Sequence, residues 1–172
     1  SGHCVADANS WYFPSMRPLT AHHIYVGGAG GEVGRAFYWK AGDHETSNIS
    51  PRNLIYRFGL PYDDLLAQRL SAWLNNIPVE NTLHILDLAY LEHRMGPWYG
   101  AQYYSDPTLH RVAPLIMREI VDLLIALPAD WKRNERVVDS AIAKEWAELG
   151  RYPYNSLGPT LDVVSKVLRG LR

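Results

Sequence analysis

Apolar residues recur at helical spacing along most of this chain. Between Asp63 and Leu74, the positions Leu65, Leu66, Leu70, Trp73 and Leu74 predict a helix that Asn75-Asn76 and Pro78 bring to a stop. Ahead of it, Ser50-Pro51 reads as a serine N-cap followed by proline at the first helical position, and Gly59 and Pro61 end that shorter helix. From Asn81 to about Met95 a wide apolar face of Leu83, Leu86, Leu88, Tyr90 and Leu91 predicts another. Gly96-Pro97 is expected to break or kink it, because proline removes a hydrogen bond and clashes with the preceding turn. The aromatic run Trp98, Tyr99, Tyr103 and Tyr104 extends it as a second helix, with a turn at Ser105-Asp106-Pro107.

Pro114 to Leu127 is the most apolar segment and is expected to be the central buried helix, ended by Pro128. Glu135 to Leu149 is amphipathic, with Gly150 as its cap, and Thr160 is expected to cap a last helix over Leu161 to Leu171. Against this helical background Ile24-Tyr25-Val26 stands out as a short buried strand running into Gly27-Gly28-Ala29-Gly30-Gly31-Glu32. A buried strand needs a neighbour for its amides and carbonyls. Residues 3–6 and 10–13 are weak candidates, and the other options are a second chain or strands lying upstream. Residues 1–21 are irregular, with Trp11-Tyr12-Phe13 as their one apolar anchor. Such an opening suggests a crossing loop or a piece of something longer. The expected fold class is mainly α: a helical bundle with one or two short strands, one domain over residues 1–172.

Composition narrows the class. The chain has 172 residues, 47% hydrophobic and 20% charged, which suits an ordinary globular domain. Seventeen basic and eighteen acidic residues give a formal charge of −1, so neither nucleic acid nor an anionic membrane is indicated as a partner. Cys4 is the single cysteine, which excludes a disulfide framework and a thiolate zinc cluster. No apolar run approaches the roughly 18 residues of a membrane helix, and a reducing, cytoplasmic setting is the expectation.

The glycine stretch carries the candidate chemistry. Four glycines in five positions let the backbone take positive φ and come close to a bound group, and amides at the start of a following helix suit phosphate or carboxylate. The third glycine of a dinucleotide-binding fingerprint is missing, and no Lys-Ser/Thr pair follows as in a P-loop. Glu32 has two readings: a carboxylate that holds Mg²⁺ bridging phosphate oxygens, or one that only compensates the helix dipole. His22-His23 point to opposite faces of a strand and seldom reach one ion together. Glu92-His93 lacks the second histidine of a zinc helix. Asp63-Asp64 reads as a general base or, more simply, as acids favoured in a first helical turn. The aromatics from Trp98 to Tyr104 either line a pocket or pack behind the proline.

The stretch Gly27-Gly28-Ala29-Gly30-Gly31-Glu32 resembles the Ser-Gly-x-Gly-Ser-Asp-Glu loop of the asparagine synthetase C-terminal domain, with Glu32 at the family's aspartate and Tyr38 at the tyrosine of its Gly-Gly-Tyr. Arg111-Val112-Ala113-Pro114-Leu115-Ile116-Met117, followed by a helix to Leu127-Pro128, resembles that family's Arg-x-Pro-Phe-Leu-Asp and Leu-Pro. Between them, Tyr90 to Trp98 is similar to the arginine- and tryptophan-bearing helix of divergent synthetase-like proteins of bacterial polysaccharide and peptide-modification clusters. The resemblance covers roughly residues 22 to 155. It implies the C-terminal helical half of an α/β adenine-nucleotide-hydrolase-like domain, acting as an ATP-dependent carbon–nitrogen ligase or amidotransferase. It also implies ATP and Mg²⁺ as cofactors, Gly28, Gly30 and Gly31 at the pyrophosphate, and Glu32 at the metal. The departures are the absent Ser-Gly-Gly-x-Asp-Ser signature, Val33 in place of the loop's second acid and Met117 in place of the later aspartate. No match to the family's C-terminal lysine stands near Asn134 and Glu135. The expectation is therefore part of an amide-forming protein, inactive alone and partnered by an upstream ATP-binding segment or by self-association through Ile24–Val26. The alternative is a non-catalytic helical binding or assembly module.

Overall fold

The deepest element is not the one with the most apolar sequence. In the structure, a computed structural model that describes residues 23–105 and 110–151, the central helix is Thr82–Ala89, which buries Leu83, Ile85, Leu86 and Ala89. Asn81 caps its start by accepting from the Leu83 amide at 2.9 Å. The segment after Pro114 is instead a short 3-10 turn, Pro114–Ile116, and a helix Arg118–Ala126 in which only Leu124 is buried while Leu123 is 65% exposed. This overturns the expectation of a central buried helix there. Apolar content alone misleads, because Met117 takes an extended conformation that separates Pro114 from the helix and leaves a two-faced segment at the surface.

In chain order the elements are β1 (Ile24–Val26), α1 (Pro51–Arg57), α2 (Asp64–Asn76), α3 (Thr82–Ala89), a π-helical segment Tyr90–Met95, α4 (Gly96–Ser105), β2 (His110–Val112), α5 (Arg118–Ala126), α6 (Ala129–Arg133) and α7 (Arg136–Glu145). The fold is mainly helical with a short two-stranded parallel sheet, as the apolar periodicity indicates. The described residues fall in two compact units, divided after Asn134. In the second, α7 ends at Trp146, whose amide bonds to the Ile142 carbonyl at 2.9 Å, and a 3-10 turn Ala147–Arg151 follows. Gly150 therefore falls inside that turn and does not cap the helix. The Trp11 to Phe13 anchor, the turn at Asp106-Pro107 and the helix expected from Thr160 lie outside the described residues.

Local chemistry sets the helix starts. Ser50 and Asn53 form a reciprocal capping box, with the Asn53 amide donating to Ser50 Oγ at 3.2 Å. Asp63 accepts from the Leu66 amide at 2.8 Å, so this exposed acid is a cap for α2. Pro97 does not end the helical path. The chain widens into a π turn, in which the Gly96 amide reaches back five residues to the Leu91 carbonyl, and α4 continues beyond it. A π turn at this point fits the loss of the proline N–H.

The question of the lone strand is settled inside the chain. β1 pairs in parallel with β2, with Tyr25 opposite Arg111, and the Gly27 amide extends the ladder to the Val112 carbonyl at 2.8 Å. The candidate partners at residues 3–6 and 10–13 lie outside the described residues. The Arg111 stretch, read from sequence as the lead into a helix, supplies the strand instead. Ile24 and Val26 are 67% and 65% exposed, so β1 is not a buried strand.

The core gathers Val33, Leu54, Ile55, Leu70, Leu86, Ala89, Met95 and Leu124 around an aromatic group. Phe37, Tyr38, Phe58 and Tyr90 meet with ring centroids 5.1 to 5.8 Å apart, mostly tilted or edge-on, as the ring quadrupoles favour. Within this apolar setting lies one ion pair. Lys132 Nζ, fully buried, meets Asp87 Oδ2 at 2.5 Å, and Trp39 Nε1 donates to Asp87 Oδ1 at 2.9 Å. Burial pushes the Asp87 carboxyl up to about 6, against the opposing pull of Lys132 and Trp39.

Removing one partner strands the other charge in the core. Asp87→Ala is expected to destabilise the protein by about 3–5 kcal/mol, while the double change Asp87→Leu with Lys132→Met costs much less than the single one. Chemical denaturation of the three proteins measures both.

Candidate functional site

β1 delivers the chain into the glycine stretch at the carboxyl end of the two parallel strands, the end at which open parallel sheets bind ligands. The turn that follows is not the α-helix the pattern suggests. It is a five-residue 3-10 turn, Gly31–Arg35, entered through Gly30 at φ 95° with no side-chain cap. Its first amides are engaged locally: Gly31 donates to the Gly28 carbonyl at 3.2 Å and Val33 to the Gly30 carbonyl at 3.1 Å. The amide cradle expected at a helix start is therefore largely closed on itself. Residues 31 to 35 are too few to wind an α-helix before Ala36 reverses the backbone at φ 54°.

The glycines divide by role. A Cβ on Gly30 would sit 2.7 Å from Ile116 Cγ2 and 2.8 Å from the Leu115 carbonyl oxygen, and on Gly31 it would be 3.1 Å from Leu115 Cδ1. These two let the loop press onto the Pro114–Ile116 turn. Gly28 has open space where a Cβ would project. It lines a cavity of about 300 Å³ with Tyr25, Gly27, Ala29, Glu32, Trp98 and Tyr99. The structure thus brings Gly28 and Glu32 to one cavity and places Gly30 and Gly31 in the packing behind it. Trp98 and Tyr99 do both things the sequence allowed, since Tyr99 also belongs to the core.

Glu32 is the polar centre of that cavity. Its Oε2 is buried without a hydrogen-bond partner, an arrangement costly for a carboxylate unless something arrives to meet it. The Tyr90 hydroxyl donates to Met95 Sδ at 3.7 Å and lies close enough to Glu32 to feel its charge. Burial first, then the charge and hydrogen bond of Glu32, hold the Tyr90 proton well above the ordinary phenol range. Tyr90 therefore keeps its proton beside the carboxylate. Among the described residues no group of three His, Cys, Asp or Glu stands together. A cation at Glu32 would take its remaining ligands from water and from the oxygens of a bound molecule, a pattern usual for Mg²⁺.

Other residues singled out from sequence have structural work. Glu92 accepts from Trp73 Nε1 at 2.7 Å, and the His93 ring packs edge-on against Trp73 at 4.7 Å. Desolvation lowers the His93 pKa against the opposing charge of Glu92. Tyr25 was missed as a cavity residue because the strand assignment did not say which face it served. Its register with Arg111, buried on β2, sets that face. Asp87 had a legible signal, a carboxylate four residues after Leu83 and three before Tyr90 on the apolar face of α3.

Comparison of the chain with models of known protein families, with curated proteins and with solved structures gives no match in any of the three. Among the described residues no helix is long and apolar enough to cross a membrane.

The division among the glycines has a direct consequence. Gly30→Ala meets both a positive φ and a backbone clash and is expected to cost about 2–4 kcal/mol, whereas Gly28→Ala stays within about 0.5 kcal/mol of the parent. Thermal and urea unfolding of the two variants checks this.

Proposed function

We propose that this chain is the helical part of an asparagine-synthetase-like, ATP-dependent amide-forming protein, with the glycine-loop cavity on its pyrophosphate side. The observation that carries the reading is the meeting of an open glycine, Gly28, with the unpartnered buried oxygen of Glu32 at the carboxyl end of two parallel strands. In such a reaction ATP activates a carboxylate as an acyl-adenylate, pyrophosphate leaves, and an amine attacks. Mg²⁺ would neutralise phosphate charge, and Glu32 is the side chain suited to hold it. Gly28 gives the bound group access to the backbone. The sheet also supports the reading: parallel strands are ordinarily covered on both faces, yet Ile24, Val26 and Val112 are exposed on one. An ATP-binding segment whose helices pack on that face would cover them. The same exposed face is where self-association through Ile24–Val26 would occur. The alternative, a helical module without catalysis, draws on Val33 and Met117 standing where the family carries acids.

Calorimetric titration of the whole chain with pyrophosphate, with Mg²⁺ present and then with EDTA, tests the proposal. Saturable, Mg²⁺-dependent binding that weakens about 10-fold or more in Glu32→Gln is the expected result, a loss of roughly 1.4 kcal/mol or more. The chain alone is expected not to turn over ATP. Titrations with no component that depends on both Mg²⁺ and Glu32 would overturn the reading and leave the non-catalytic module.

A further inference from the structure

The Gly31–Arg35 turn has a second side. While Glu32 faces the glycine cavity, Arg35 lines a separate cleft of about 390 Å³ with Ala36, Trp39, Lys40, Ala41 and Arg133. The sequence gives no hint of it, since the three cations are spread over almost a hundred residues of a chain with a formal charge of −1.

Each cation is held where it is for a structural reason. Arg133 donates to the Lys40 carbonyl at 3.1 Å and to the Asp43 carbonyl at 2.5 Å, which ties the end of α6 to the loop after Trp39. Its guanidinium carbon lies 5.2 Å from the centre of the Trp39 ring. Lys40 Nζ stands 4.0 Å over the Tyr56 ring, a contact that orients the ammonium without neutralising it. Arg35 has its Nε buried with no hydrogen-bond partner. The acids nearby are already committed. Asp43 is bound by Arg57 at 2.7 and 2.8 Å, and Asp87 by Lys132. Burial works to raise the Asp43 carboxyl, but the Arg57 bonds, the Lys40 amide and the charges of Arg57 and Arg133 outweigh it and lower its pKa. Among the described residues neither Arg35 nor Lys40 has a carboxylate partner.

Three positively charged residues line one concave site, and the buried Arg35 Nε–H there has no acceptor. We propose that the cleft between Arg35, Lys40 and Arg133 is a metal-independent binding site for a dianionic phosphate group, either inorganic phosphate or the terminal group of a small phosphate ester. Arginine supplies the directional donors and lysine a point charge, the division of labour usual in phosphate recognition. A volume of about 390 Å³ takes a small molecule and is far from the extended groove a nucleic-acid strand needs. The site is independent of Glu32 and of the reading built on it.

The test is titration of the whole chain in EDTA with inorganic phosphate and, in a parallel arm, with glycerol phosphate, followed by calorimetry and by amide shifts at residues 35 to 41. Saturable binding is expected in at least one arm, and a tighter ester arm assigns the site to phosphate esters. Arg35→Gln and Lys40→Gln should each weaken binding about 5-fold or more, and Glu32→Gln should leave it within about 2-fold. Lys40 is exposed, so its variant stays informative if Arg35→Gln perturbs folding. Failure to saturate in both arms, or equal affinity in the parent and Lys40→Gln, overturns the proposal.

Discussion

Asp87 is the residue on which the arrangement rests. One carboxylate oxygen meets Lys132 from α6 and the other meets the Trp39 indole, so a single side chain on the central helix fixes two distant segments. A carboxylate and an ammonium removed from water are expensive, and together they are tolerated because the remaining lone pair is also satisfied. Sliding α6 by one residue, or rotating Trp39 outward, would leave a buried charge without its partner. Apolar packing around Leu54, Leu70 and Leu86 provides the bulk of the burial, at about 1.5–3 kcal/mol for each such side chain, but it tolerates small displacements that the ion pair does not.

Fixing Trp39 and Lys132 also fixes what lies between the two cavities. The Gly31–Arg35 turn packs on α5 and α6, with Leu124 closing on Gly34. Its glutamate opens to one cavity and its arginine to the other. A carboxylate with an unpartnered oxygen and a guanidinium with an unpartnered N–H thus sit three residues apart on one turn and line different cavities. The turn that carries both is bounded by left-handed Gly30 and Ala36.

Much of the fold was readable in the sequence because helix termini announce themselves chemically. Ser50-Pro51, Asp63 and Asn81 each mark a start that the structure keeps. What could not be read depended on long-range pairing. The partner of Ile24–Val26 is three residues of weak strand character, His110–Val112, recognisable only once the intervening helices return the chain to the same edge. Apolar content pointed to the segment after Pro114 as the core, whereas burial follows from which face finds a partner. At the site, the sequence identified Gly28 and Glu32 as neighbours along the chain. That Gly30 and Gly31 serve packing against Leu115 and Ile116 could not be seen without the fold. The basic cleft was invisible for the same reason, since residues 35, 40 and 133 share no motif.

The central claim is that the glycine stretch presents Glu32 as a metal ligand beside an open backbone. Crystals of the whole chain soaked in Mn²⁺ with pyrophosphate, measured for anomalous scattering at the manganese edge, test it most directly. The account predicts one manganese peak at bonding distance from Glu32, with phosphate density running toward Gly28. Manganese bound elsewhere, with Glu32 turned to a protein donor, would contradict it.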